Sequence, residues 1–290
     1  MSIELNHISY SYPAGSHASV TVFDDFSLHI ADGEFLGIMG HTGCGKTTLL
    51  QLMAGLIAPS GGEVLINGAD INKAGYDRSI LRRSVGIVFQ YPEYQLFETT
   101  VEKDVAFGLK HSGLSRAEVR ERVIWALALM GFSYDNIRAR SPLTLSGGEK
   151  RRLAIAGVLA VKPDILMFDE PIAGLDPINR TAFLELAAQL NKQGTTVIIV
   201  SHNADALAES VGRLIVLEGG RMVMDGTPKS VFSDPARMRE LHLGVSTPRA
   251  IAEMLAKRGV PVSPDVIRYD ELLLELWTRL GRNNMDGNID

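Results

Sequence analysis

Gly40-His41-Thr42-Gly43-Cys44-Gly45-Lys46-Thr47 sets a glycine, four residues and then Gly-Lys-Thr where an apolar run gives way to a helical period. The glycines let consecutive amide N–H groups turn toward one oxyanion, and the helix that opens at Lys46 adds its dipole. The Lys46 ammonium neutralises the outer phosphates, the Thr47 hydroxyl falls on magnesium, and the binding run continues into Thr48. This is polyphosphate chemistry. Cys44 sits within the cradle, where the N–H dipoles and Lys46 are expected to favour the thiolate and where bound phosphate would shield it from alkylation.

A second element is Ile165-Leu166-Met167-Phe168-Asp169-Glu170, an apolar strand that ends in two adjacent carboxylates. A buried strand shows polar groups only at its end. Asp169 is therefore expected in the magnesium shell, and Glu170 at the terminal phosphate, where it orients and deprotonates the attacking water.

The elements that must position these groups follow from periodicity. Ile3 to Ile30 alternates apolar and polar residues around the loop Pro13-Ala14-Gly15-Ser16, which predicts antiparallel strands. Phe35 to Met39 is a short apolar strand, and Lys46 to about Gly55 has a helix period, giving strand, glycine-rich loop and helix. Val64 to Asn67 and Val85 to Phe89 read as strands, and Ser115-Arg116-Ala117-Glu118 is a capping box opening a helix to about Met130. Ile165 to Phe168, Val197 to Val200 and Leu214 to Leu217 are continuously apolar, with helices Ile178 to Asn191 and Ala204 to Glu209 between them. That alternation implies a parallel sheet covered on both faces, hence an α/β fold. Beyond Gly226-Thr227-Pro228 the chain reads as helices broken by Pro248, Pro261 and Pro264.

Composition closes off several classes. The chain has 290 residues, 46% apolar and 22% charged, enough for a large domain with an appendage and too apolar for disorder. The longest apolar run, residues 153–161, falls well short of the roughly 20 residues a membrane-spanning helix needs. The N-terminus, Met1-Ser2-Ile3-Glu4-Leu5-Asn6, has no basic and apolar leader, and one cysteine forms no internal disulfide, so a cytoplasmic location is expected. A net charge of -5 argues against wrapping nucleic acid.

Leu145-Ser146-Gly147-Gly148-Glu149, followed by Lys150-Arg151-Arg152, resembles the signature of the ATP-binding cassette (ABC) superfamily, in which Gln is more usual at the last place. Ser146 and Glu149 also form a capping box, and a glycine-flanked helix N-terminus is itself an anion site. The resemblance covers about residues 1 to 226 and implies an ABC ATPase core with an N-terminal antiparallel β-subdomain and a helical subdomain at about 91–160. It implies ATP and Mg2+ as ligands, with Ser146, Gly147 and Gly148 facing the nucleotide on a second subunit. Gln90 resembles the glutamine that senses magnesium and water, and Gly174-Leu175-Asp176 the loop that crosses the dimer interface. His202 resembles the switch histidine at the terminal phosphate. Tyr12 resembles the aromatic residue that stacks on adenine, although Tyr10 and Tyr12 share one side of an alternating strand and either could simply pack.

Phe89-Gln90-Tyr91-Pro92-Glu93-Tyr94-Gln95-Leu96-Phe97 and the run Ala154 to Ala160 resemble, more narrowly, ATPase subunits of energy-coupling factor importers for vitamins or transition-metal ions. That resemblance implies an ATP hydrolase driving transport from the cytoplasmic face of the membrane, bound peripherally. The implied partners are a second ABC ATPase subunit, identical or paralogous, an integral membrane coupling subunit and a substrate-binding membrane subunit. Tyr91, Tyr94, Leu96 and Phe97 would line the groove for the coupling subunit, or else pack against the helical insert. The accessory domain, 227–290, carries nine basic and nine acidic residues from Lys229 onward. In its helix Asp270 to Gly281, the stripe Leu272, Leu273, Leu276, Trp277 and Leu280 must be buried, either on this chain or against a second ATPase subunit. The rival readings are a soluble ABC ATPase acting on nucleic acid or ribosomes, whose long coiled-coil insertion or second cassette is missing, and a nucleotide-binding regulator without turnover, which Glu170 and His202 oppose.

Overall fold

A computed structural model describes residues 1–13 and 19–286, with side chains up to residue 279. Residues 14 to 16 of the expected N-terminal loop, and the Leu280 side chain, lie outside what is described. The antiparallel opening is β1 (Ile3–Tyr12) and β2 (Val20–Ile30). The first α/β step is β3 (Phe35–Gly40) and α1 (Lys46–Met53). Strands β4 (Gly61–Ile66) and β5 (Ala69–Asp70) return to the first sheet, whose order is β2-β1-β4-β5. Helix α2 (Arg78–Ser84) and β6 (Val85–Val88) follow. The helical insert holds α3 (Val101–Ala106), α4 (Arg116–Leu129), α5 (Tyr134–Ile137) and α6 (Gly147–Ala160).

Next come β7 (Ile165–Asp169), α7 (Pro177–Lys192), β8 (Thr196–Val200), α8 (Ala204–Ser210), β9 (Arg213–Glu218) and β10 (Arg221–Gly226). The second sheet has the order β10-β9-β3-β8-β7-β6; all neighbours are parallel except the β9–β10 hairpin. The C-terminal helices are α9 (Pro228–Phe232), α10 (Pro235–Glu240), α11 (Thr247–Lys257) and α12 (Tyr269–Asp286).

The period of two along β7 and β8 divides the core. Leu166, Phe168, Val197 and Ile199 face one apolar cluster with the insert, α7 and α8, while Ile165, Met167, Ile198 and Val200 face the other. The second cluster also takes in Leu49, Leu50, Leu52 and Met53 of α1 and Ile3, Leu5 and Phe23 of the first sheet, so α1 is packed between the two sheets. Burial around α1 holds its N-terminus rigidly at the C-terminal edge of β3. The apolar run of α6 is likewise interior: Leu153, Ile155, Ala156, Leu159 and Ala160 are all buried. Among the described residues, no helix is long and apolar enough to cross a membrane.

Val231, Phe232, Met238 and Leu241, beyond the expected boundary at 226, are buried in the first cluster. A separate small cluster joins Ala252, Val262, Val266 and Leu272. The α12 stripe is only partly covered: Leu272 is buried and Leu276 half-buried, but Leu273 and Trp277 are 67% and 80% exposed. Of the two coverings expected, this chain supplies one for Leu272 and, in part, Leu276, and leaves Leu273 and Trp277 uncovered by its described residues.

Candidate functional site

Two of the cradle's glycines, Gly40 and Gly45, leave no room for a side chain without displacement. A Cβ on Gly40 would stand 2.5 Å from the Leu217 carbonyl oxygen and 2.6 Å from Cys44 Sγ. Gly45, the α1 N-cap, has φ 108°, and a Cβ there would meet the Phe23 ring at 2.9 Å. With no side chain on the N-cap, nothing on that residue caps the first-turn amides of α1. Lys46 folds back over the loop, its Nζ donating to the carbonyls of Gly40 at 2.7 Å and His41 at 2.9 Å. His41 and Thr42 are exposed in the loop between them.

Cys44 is a correction. Its side chain turns into the core beneath the cradle and is 1% exposed, packed in the same cluster as α1. Burial pushes the thiol pKa up and outweighs the nearby Lys46, which pulls it down. The missing Cβ at Gly40 makes room for this inward sulfur. Burial thus opposes both the thiolate and the access expected of this residue.

The carboxylate strand meets the cradle directly. Thr47 Oγ1 donates to Asp169 Oδ2 at 2.7 Å, joining α1 to the end of β7. Asp169 is buried, and its pKa is raised by that burial, with the neighbouring Glu170 charge acting in the same sense; the Thr47 hydroxyl and Lys46 oppose it. Glu170 leaves the strand with φ 49°, a left-handed conformation uncommon outside glycine, and its amide donates to the Val200 carbonyl at 2.9 Å. Its Oε2 lies 2.9 Å from His202 Nδ1 and accepts from Ser201 Oγ at 3.4 Å.

Gln90 is exposed two residues past Val88, which is in register with Phe168, so Gln90 and Glu170 leave neighbouring strands at the same edge. Tyr12 ends β1 with its hydroxyl 3.1 Å from Thr48 Oγ1 and 3.4 Å from Gln51 Oε1; the ring is 40% exposed and stands edge-on to Tyr10, which packs on the second cluster. Cradle, carboxylates, histidine and tyrosine thus share one face.

The remaining residues stand apart. Ser146 caps α6 through the expected capping box with Glu149, and Cβ atoms on Gly147 or Gly148 would meet nothing. Asp176 caps α7; the Asn179 amide and side chain hold its pKa low. Gly148, Gly174 and Asp176 border one cavity of about 490 Å3. Among the described residues, no hydrogen bond joins this group to the cradle. Along the 91–97 segment Tyr91, Tyr94 and Phe97 are 54%, 84% and 62% exposed, whereas Leu96 packs on the core. Sequence reasoning missed Ser201 and Gln51 as neighbours of this site, although Ser201 directly follows the apolar run Val197 to Val200 and precedes His202.

The chain as a whole is similar to several known proteins. A family model described as ABC transporter matches residues 23–173, more than half of the chain. The energy-coupling factor transporter ATP-binding protein EcfA2 of Caldanaerobacter subterraneus subsp. tengcongensis is 44% identical over 272 residues, covering 93% of this chain and 95% of that protein. The structure of cbiO1 from Clostridium perfringens, described as part of the ABC transporter complex cbiONQ, matches with a TM-score of 0.70 at 35% identity, over 87% of this chain and 98% of that one. The ATP-binding cassette MJ0796, in a dimeric post-hydrolysis state with ADP and Pi, matches with a TM-score of 0.70 at 29% identity, over 78% of this chain and 98% of that one.

Proposed function

The chain belongs to the ABC transporter family, and from that premise we propose that it is the ATP-hydrolysing subunit of an energy-coupling factor importer for vitamins or transition-metal ions. The observation that carries this reading is the Thr47–Asp169 bond, which locks a glycine cradle to a carboxylate strand ending in the Glu170–His202 pair. The relatives' names and near-complete overlap favour transport over a nucleic-acid or ribosomal role.

The residues fit a magnesium nucleotide. Lys46 and the amides of residues 40–48 are the groups to hold the phosphates, and the partly exposed ring of Tyr12 is the one to stack on the base. Asp169 is a buried carboxylate that carries a desolvation penalty, which a cation beside it would relieve. Thr47, Asp169 and Gln90 are the candidate magnesium ligands, and magnesium supplies neutralisation of developing phosphate charge. Glu170 accepts the proton of the attacking water at Oε2, while His202 orients that oxygen through Nδ1 and keeps Nε2 for the terminal phosphate.

Ser146, Gly147, Gly148 and Asp176, away from the cradle, serve the nucleotide of a second ATPase subunit, identical or paralogous. The exposed rings of Tyr91, Tyr94 and Phe97 support a contact with the integral coupling subunit, and in this reading the chain binds peripherally on the cytoplasmic face. Residues 227–290 act as the accessory unit. The test is magnesium-dependent ATP turnover by the purified chain, together with identification of the membrane subunits that co-purify with it. Turnover is expected to vanish with chelator or Lys46→Ala; turnover indifferent to both would overturn the site.

A further inference from the structure

Among the described residues Arg151 makes no hydrogen bond to the cradle, yet it grips the loop that carries Glu170. Its Nη1 donates to the Ala173 carbonyl at 2.8 Å, and its Nη2 to the Glu170 carbonyl at 3.3 Å and to the Pro171 carbonyl. Three carbonyls within four residues are thereby held by one planar fork, a geometry a lysine ammonium cannot reproduce. The guanidinium is partly buried, its Nε has no hydrogen-bond partner among the described residues, and the charge that most compensates it is Glu93, whose Oε2 is likewise buried without one. Burying a charge against neutral carbonyls is a poor route to stability, so its placement calls for another account.

The Glu170 backbone supplies one. At φ 49° this residue is held in a left-handed turn that the chain does not favour by itself, and that turn decides where the carboxylate leaves the strand. Among the described residues the Glu170 carbonyl accepts only from Arg151 and the Ala173 amide, the latter at 3.3 Å, while its carboxylate meets His202 at 2.9 Å. We propose that Arg151 is a positioning residue for hydrolysis, which fixes the Glu170 peptide from helix α6 and thereby aims the Glu170 carboxylate. Because Ser146 caps α6, the same arginine ties the helix that follows the signature to the peptide of the chain's own Glu170. The inference rests on Glu170 being the base.

The test is ATP hydrolysis by the full chain for wild type, Arg151→Ala, Arg151→Lys and Glu170→Gln, and for each arginine variant combined with Glu170→Gln, the slow combinations followed in single turnovers. Arg151→Ala is expected to lower kcat about tenfold, as small misplacements of a reacting group do, with KM for ATP unchanged. In the Glu170→Gln background the same change is expected to cost less than about twofold, since the two act as one unit. Arg151→Lys, which keeps the charge and loses the fork, should fall between. Should Arg151→Ala not fold by circular dichroism, the lysine variant carries the same comparison. Wild-type kcat in a folded Arg151 variant, a raised KM that accounts for the loss, or an equal loss in both backgrounds overturns the proposal. Wild-type turnover in Glu170→Gln overturns the reading of Glu170 as the base, a separate outcome.

Discussion

The Glu170 carboxylate and the His202 ring meet at 2.9 Å across two neighbouring strand ends, with Ser201 Oγ on the same carboxylate oxygen. Strands β7 and β8 are parallel and in register, Asp169 opposite Val200, so the pair follows from the sheet and needs no long loop to bring it together. Glu170→Gln is expected to keep ATP binding and to lower turnover by at least about 10²-fold, the loss typical of a general base. Steady-state hydrolysis with parallel nucleotide titration checks this; unchanged turnover removes Glu170 from the mechanism. Lys46→Ala, by contrast, should weaken binding itself, because the cradle loses its cation.

Asp169 yields a prediction with a definite sign. Its pKa is raised by burial, so its ionised form is the costly one, and stability is lost as pH rises through that pKa. Asp169→Asn keeps an acceptor for the Thr47 hydroxyl and removes the charge. The nucleotide-free variant is expected to melt a few degrees higher than wild type at neutral pH, with the gap closing as the solution is acidified and Asp169 becomes protonated. The same variant should lose magnesium-dependent turnover. A lower melting temperature at neutral pH would show that Lys46 and Thr47 outweigh burial.

Cys44 marks a boundary of what the sequence makes legible. The spacing of Gly40, Gly45, Lys46 and Thr47 identifies the cradle, because phosphate binding needs those residue types at those places. It does not say which way a variable residue of the loop faces. Here the sulfur takes the space left by the absent Cβ of Gly40, which only the packed structure reveals. Alkylation of native Cys44 is expected to be slow with or without MgATP and to become fast in denaturant. Rapid labelling of the native chain, blocked by MgATP, would contradict the inward orientation. Arg151 is illegible for a related reason: beside Lys150 and Arg152 it reads as one of three basic residues, and its carbonyl partners lie about twenty residues away. The parallel strands, by contrast, were evident, since strands buried on both faces are continuously apolar.

The 91–97 segment separates packing from docking. Pro92 is buried and Leu96 packs on the core, while Tyr91, Tyr94 and Phe97 stay exposed; Phe97 stands edge-on to Phe107, itself exposed, at 4.7 Å between ring centres. Tyr94→Ala and Phe97→Ala are expected to leave folding stability within about 0.5 kcal/mol, as for surface changes, and to leave the ATPase of the isolated chain intact. Both should abolish co-purification with the integral membrane subunit. Retained co-purification by the double variant would place the contact elsewhere.

The last prediction concerns α12. Leu272 anchors the helix on Ala252, Val262 and Val266, while Leu273, Leu274 and Trp277 stay exposed on the same helix. A dimer held only by ATP would separate after each hydrolysis, and an apolar face repeated on two subunits is suited to prevent that. Deleting residues 229–290 is a poor test, because it would also remove Val231, Phe232, Met238 and Leu241 from the main core, at about 2–5 kcal/mol for each large side chain. Leu273→Glu with Trp277→Glu changes only exposed positions. Sedimentation without nucleotide is expected to show a wild-type dimer and a monomeric double variant, while the double variant combined with Glu170→Gln should still dimerise on MgATP. If wild type and double variant share one nucleotide-free assembly state, α12 does not hold the subunits together.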